Sequence, residues 1–196
     1  RMSRLIATWF YSVYLKPAPG TWGSLAALPF AYVLHLLGGP WLLLLATLAI
    51  FALGYWATGR ETAGKADHDP SEIVVDEVVG QWLALWPVSY GAVFAGADVL
   101  RLWPGILAAF LFFRLFDIWK PGPVGWAERR FEGGLGVMAD DLVAGGIGAV
   151  MLALLLQHLR VLIRALHLRV QLASAAGGVE FFPPFIFMGR DIFQER

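Results

Sequence analysis

The sequence predicts an all-α, membrane-associated helical bundle of about four to five hydrophobic helices, with two polar loops that carry the candidate site. Three observations lead there. The chain of 196 residues is 58% apolar and only 15% charged, against roughly 25% charged in an ordinary soluble domain. No Asp, Glu, Lys or Arg occurs between Ala18 and Gly59. Two acidic doublets, Asp76-Glu77 in IVVDEVVG and Asp140-Asp141 in GVMADDLVAGG, interrupt strongly apolar sequence. An ionised carboxylate out of water costs several kcal/mol unless it is paired, hydrogen-bonded or bound to a metal.

The elements follow in order. Arg1, Arg4 and Lys16 flank a short amphipathic run with no Ala-x-Ala-like site, so no cleavable signal peptide is expected. The uncharged stretch breaks at Gly38-Gly39-Pro40 into Leu25–Leu37 and Trp41–Thr58, which predicts a helical hairpin. Gly59–Glu77 is the first polar block. Val78–Ala97 is apolar again, with Pro87 and Gly91 as expected kinks, and Asp98 and Arg101 mark a turn into a second hairpin at Leu102–Phe113. Arg114–Asp141 is the second polar block, and Pro121-Gly122-Pro123 is expected to fall outside regular helix. Leu142–Leu159 is the last apolar run.

Both polar blocks end in a doublet that leads into a helix. Two hairpins return them to one side, and Arg114, Lys120, Arg129 and Arg130 suggest the cytoplasmic side. A full crossing by the last run would put Arg160, Arg164 and Arg169 outside, which leaves the span count open. Residues 1–172 are expected to form one membrane domain and residues 173–196 a tail of unassigned order and function.

Composition also excludes. The formal net charge is zero, so nucleic acid is not an expected partner. Without cysteine there is no disulfide, thiolate metal site or cysteinyl-phosphate chemistry. Oligomeric state is not legible.

The doublets are the primary candidates. Adjacent helical residues diverge by about 100°, so one carboxylate can bind an ion while its neighbour orients a water or another ligand. Gly80 and Ala144 follow Asp76 and Asp140 by four residues and leave room on the same face. Carboxylates without His or Cys suit a hard ion such as Mg²⁺; the plainer alternative is favourable charge at two helix amino termini. Arg114, Asp117 and Lys120, at three-residue spacing, suit a phosphate and a metal together, or an interfacial salt-bridge ladder. Lys16-Pro-Ala-Pro-Gly-Thr21-Trp-Gly-Ser24 offers a cation, hydroxyls and open amides, or a proline-rich turn capped by Thr21 or Ser24. His35 reads as a packed residue and His68 as solvent-facing, and Glu61, Asp67 and Asp69 read as loop solvation.

Four segments together resemble the phosphatidylglycerophosphatase A family: KPAPGTWGS (Lys16–Ser24), DPSEIVVDEVVGQ (Asp69–Gln81), FRLFDIWKPGPV (Phe113–Val124) and GGLGVMADDLVAG (Gly133–Gly145). The resemblance implies a helical, Mg²⁺-dependent lipid phosphatase of the bacterial inner membrane. It would act at the cytoplasmic face and convert phosphatidylglycerophosphate to phosphatidylglycerol. It also implies Asp76, Glu77, Asp117, Asp140 and Asp141 as acidic catalytic and metal-site residues, with Lys16, Thr21, Ser24, Arg114 and Lys120 as phosphate or headgroup contacts. Water attack is weakly favoured over an aspartyl-phosphate, because the nucleophile signature of haloacid-dehalogenase-type phosphatases is not recognised; Asp67-His68-Asp69 has the Asp-x-Asp spacing but sits in a polar loop. A divalent-cation channel or transporter is the alternative, since acids within membrane helices often mark ion paths. Acids at helix ends beside Arg and Lys suit phosphate; acids facing one another at mid-bilayer suit conduction.

Overall fold

The computed structural model describes residues 18–62, 74–131 and 133–175. Regular structure among them is entirely helical: α1 (Pro19–Thr62), α2 (Val75–Ala95), α3 (Trp103–Trp119), α4 (Gly122–Arg130) and α5 (Gly133–Ala175), with a 3₁₀ turn at Val99–Leu102. The chain divides into two compact units, residues 1–153 and 154–196. In the second, the helical residues 154–175 are almost all exposed, Arg160, Arg164 and Arg169 among them. Of the expected tail 173–196, residues 173–175 belong to the last helix and residues 176–196 lie outside the described residues.

α1 is two helices in one. Gly38 (φ −160°, ψ 17°) and Gly39 (φ 62°, ψ −152°) leave helical geometry, and the second torsion pair is one that glycine adopts without steric cost. The contacts show that this break is a reversal. On the first leg, Gly23 meets Val74, the Trp82 indole N–H donates to the Ala27 carbonyl at 2.9 Å, and His35 Nδ1 lies 2.7 Å from Ser89 Oγ. That leg therefore runs parallel to α2. On the second, the Trp86 indole donates to Pro40 O at 3.0 Å while Gly54 abuts Val75 and Met138, so this leg runs antiparallel. The hairpin read from Gly-Gly-Pro is present.

α2 runs through Pro87 and Gly91 as one helix and ends at Gly96 in the left-handed conformation. Asp98 then accepts the Leu100 amide at 2.8 Å and starts the 3₁₀ turn that sends α3 back. Val88 faces Gly105 and Gly80 faces Phe113, which fixes the antiparallel register. The second polar block takes mostly helical form. Only Lys120 and Pro121 interrupt it before α4, whose Pro123 sits in the first turn, where a missing N–H is harmless. The expected irregularity at Pro121-Gly122-Pro123 is thus confined to its first residues.

Four helices are long and apolar enough to cross a membrane, spanning Pro19–Arg60, Val75–Ala95, Val99–Trp119 and Met138–Ala175. Since α1 reverses at its midpoint, its apolar length is divided between two legs. Large apolar side chains such as Leu37, Leu45, Phe94 and Ile118 are exposed, as lipid-facing residues should be. Exposed tryptophans mark both ends, Trp41 and Trp103 at the hairpin end and Trp56, Trp119 and Trp126 at the other, as at membrane interfaces.

A candidate acidic centre at one end of the bundle

The end opposite the Gly38-Gly39 turn gathers the chemistry. Asp76 and Glu77 occupy the first turn of α2, where the helix dipole favours negative charge. Asp76 Oδ1 accepts the Glu77 amide at 3.0 Å. Beneath them Ala57, Val75, Val79 and Met138 form a closed apolar cluster joining α1, α2 and α5.

Asp140 and Asp141 are placed otherwise than expected. α5 begins at Gly133, so this doublet lies about two turns inside the helix, not at its entrance. A glycine-rich GGLG reads as loop; here it is the first turn of a helix. Burial is nearly complete, at 6% and 3% exposure. Helix-end electrostatics therefore cannot account for Asp141, whose charge must be balanced by side chains, a bound ion or a retained proton.

The structure brings Asp76, Glu77 and Asp141 together: one carboxylate oxygen from each lies within 4.8 Å of the others. Asp117 adds a further carboxylate, close enough for its charge to act on both Glu77 and Asp141. Among the described residues, the ion pairs at this end go to other acids. Arg114 pairs with Asp117, and Lys120 Nζ lies 2.9 Å from Asp140 and 2.5 Å from Glu128. No cation is within ion-pairing distance of Glu77 or Asp141 among those residues. Burial opposes the charge on Lys120, but its hydrogen bonds to Glu128 and Asp140 outweigh that cost and raise its pKa above the usual lysine value.

The expected phosphate contacts divide. Lys16 lies outside the described residues, as do His68, Asp67 and Asp69. Thr21 is in the first turn of α1 and partly open. Ser24 is fully buried and donates its hydroxyl to Gly20 O at 2.9 Å, so it braces the helix start from within. Arg114 and Lys120 stand beside the acids, each already engaged by a carboxylate.

Three features had no clear sequence signal. A Cβ on Gly20 would lie 3.1 Å from Arg114 Nη1 and closer still to Glu77 Oε1. The amino terminus of α1, with its unsatisfied amides, is thereby held against the acidic group. Gly145, unmarked in the sequence, meets Gly80, which was expected to leave room, so that α2 and α5 touch backbone to backbone. Glu128, the second partner of Lys120, looked like one charge among several in a polar block.

The donor set fits a hard divalent cation: three carboxylates, no sulfur or imidazole, and partly unbalanced negative charge in a buried place. The cations beside them and the adjoining helix amino terminus suit a phosphate more than a conduction path.

Comparison with known proteins agrees with this geometry. Residues 5–156 match the family described as Phosphatidylglycerophosphatase A. A relative of that name from Escherichia coli K12 is 36% identical over 79% of this chain and 83% of its own length. One from Haemophilus influenzae is 38% identical over 79% and 88%. A Bacteroides thetaiotaomicron protein, provisionally named a phosphatidylinositol-3-phosphatase, is 39% identical over 76% and 90%. No solved structure matches the chain.

Proposed function

The chain belongs to the phosphatidylglycerophosphatase A family of phosphoric monoester hydrolases, and from that premise we propose that it hydrolyses phosphatidylglycerophosphate to phosphatidylglycerol and inorganic phosphate at the cytoplasmic face of a bacterial inner membrane. The observation that carries the reading is the convergence of Asp76, Glu77 and Asp141 within 4.8 Å, beside Arg114 and the first turn of α1. A phosphomonoester on a lipid lies at the level of the bilayer surface, where this end of the bundle presents Trp119 and Trp126.

Asp76, Glu77 and Asp141 would hold the cation, Mg²⁺ in this reading, with Asp117 and Asp140 supporting them. When bound, Mg²⁺ supplies charge neutralisation to the phosphoryl oxygens. The free amides of the first turn of α1, with Thr21 at its edge, suit the remaining phosphate charge. Arg114, fixed by Asp117, and Lys120, fixed by Asp140 and Glu128, hold positive charge beside the same acids. Water is the nucleophile: its oxygen bonds to phosphorus, a site carboxylate takes its proton, and the phosphorus–oxygen bond to the glycerol oxygen breaks. The departing alkoxide takes up a proton to become the lipid hydroxyl. Arg60, Arg129 and Arg130 at the same end favour a cytoplasmic orientation.

Purified protein in detergent should release phosphate from phosphatidylglycerophosphate with Mg²⁺ and lose that activity in excess chelator. Phosphatidylinositol 3-phosphate, run in parallel, decides the headgroup. Preferential hydrolysis of the inositol lipid would reassign the substrate, and activity that survives chelation would remove the cation.

A further inference from the structure

Gln81 lies one helical turn beyond Glu77 on the same face of α2, about 6 Å along the axis. It is fully buried, at 0% exposure. Neither its amide oxygen nor its amide nitrogen has a hydrogen-bond partner among the described residues. A buried amide left unmatched costs on the order of 1–3 kcal/mol, and an apolar side chain would fill the same place without that cost. Two further enclosed polar atoms without partners belong to the neighbouring site, Glu77 Oε2 and Arg114 Nε. Gly80 and Phe113, the chain neighbours of Gln81 and Arg114, are in contact across the α2–α3 interface. Glu77 and Arg114 both reach the Gly20 position, and Gln81 follows Glu77 by one turn on the same helix face. Their chemistry is complementary: an amide N–H is a donor and a carboxylate oxygen an acceptor.

We propose that Gln81 is a positioning residue for Glu77: its amide N–H donates to Glu77 Oε2 through one buried water, which turns the other oxygen of Glu77 towards Asp76 and Asp141. A water is the bridge that fits, because the two side chains do not bond one another directly and buried waters typically join two to four such groups. The amide oxygen of Gln81 and Arg114 Nε–H offer that water its remaining acceptor and donor. Gln81 then acts on the divalent cation through the carboxylate it orients. This inference rests on the cation reading of the acidic group.

The test is Mn²⁺ binding by purified protein in detergent, followed by calorimetry and by the electron paramagnetic resonance of free Mn²⁺, alongside the metal-free melting temperature. Gln81→Met is close in volume and cannot donate. It should raise the Mn²⁺ dissociation constant by about 10-fold or more, as loss of a group supporting a metal ligand does, while the metal-free melting temperature holds or rises. Gln81→Asn should recover affinity relative to Gln81→Ala, because a shorter amide still reaches a bridging water. Unchanged affinity in Gln81→Met, or equal affinity in the Asn and Ala variants, would overturn the role. The Asn and Ala pair decides the matter should Gln81→Met not fold. Wild-type protein that hydrolyses lipid yet binds no Mn²⁺ would overturn the cation reading itself.

Discussion

Gly145 on α5 and Gly80 on α2 meet backbone to backbone: a Cβ on Gly145 would lie 2.8 Å from the Gly80 Cα and closer still to its carbonyl oxygen. A Cβ on Gly80 would in turn sit 2.7 Å from the Asp141 carbonyl. Each glycine follows an acidic residue by four positions, so each close approach sits one turn below a carboxylate of the centre. The two helices bring their acids together because nothing projects between them at this level. Small residues serve this purpose in membrane helices, where lipid is as apolar as leucine and close packing must drive association.

Gly145→Ala should therefore separate α2 from α5. The obstruction is backbone, which cannot swing aside, so the expected cost is about 1–3 kcal/mol of stability together with loss of cation binding. Thermal unfolding and Mn²⁺ titration check both. Wild-type values for the two would mean that the helices do not meet here.

Gly20→Ala should behave differently. Its new methyl meets the far end of the Glu77 side chain, which can move, so the fold should persist while the carboxylate is displaced. Mn²⁺ affinity is expected to fall about 10-fold with the melting temperature nearly unchanged. A large loss of stability would instead show that Glu77 has nowhere to go.

Asp141→Asn and Asp76→Asn should each abolish cation-dependent phosphate release without unfolding the protein. Groups one shell removed from a metal cost about 10–100-fold when lost, so direct ligands should reach at least the upper end of that range. Full activity in either variant, measured on protein shown folded by circular dichroism, would remove that doublet from the chemistry.

Lys120 should separate from its two partners by exposure. The Glu128 side chain is 44% exposed and that of Asp140 only 9%. Glu128→Gln should therefore change stability by less than about 1 kcal/mol. Lys120→Met should raise the KM for the lipid and weaken cation binding, since it leaves Asp140 without its buried counter-charge. The pKa of Lys120 is raised by folding, so its stabilisation is present below the unfolded value of about 10.5 and lost as pH rises through the higher folded value. Stability should not fall through lysine deprotonation between pH 7 and about 10. A lysine titration inside that window, seen by NMR, would contradict the ion pairs.

Much of this was legible in the sequence. The charge-free stretch and the Gly38-Gly39-Pro40 break gave the helices and the hairpin, because composition and glycine torsions act locally. The doublets marked the centre, because a carboxylate in apolar sequence is energetically conspicuous wherever it lands. The start of α5 was not legible. Glycines in GGLG lower helix propensity, and the tertiary packing of Met138 against α1 and α2 outweighs that. Nor could Gly20, Gly145 and Gln81 be singled out. Two of them matter for what they lack, and the third for a burial that only the folded chain creates.

The meeting of Gly80 and Gly145 also bears on how the protein comes into being. Asp76 and Glu77 leave the ribosome well before Asp141, and until the last crossing helix settles against α2 the acidic group is short of a member. A chain halted or misinserted before that step has the first hairpin but not the full acidic group. On the proposed assignment, competence would arrive only with the last helix, and an unfinished copy would be inactive.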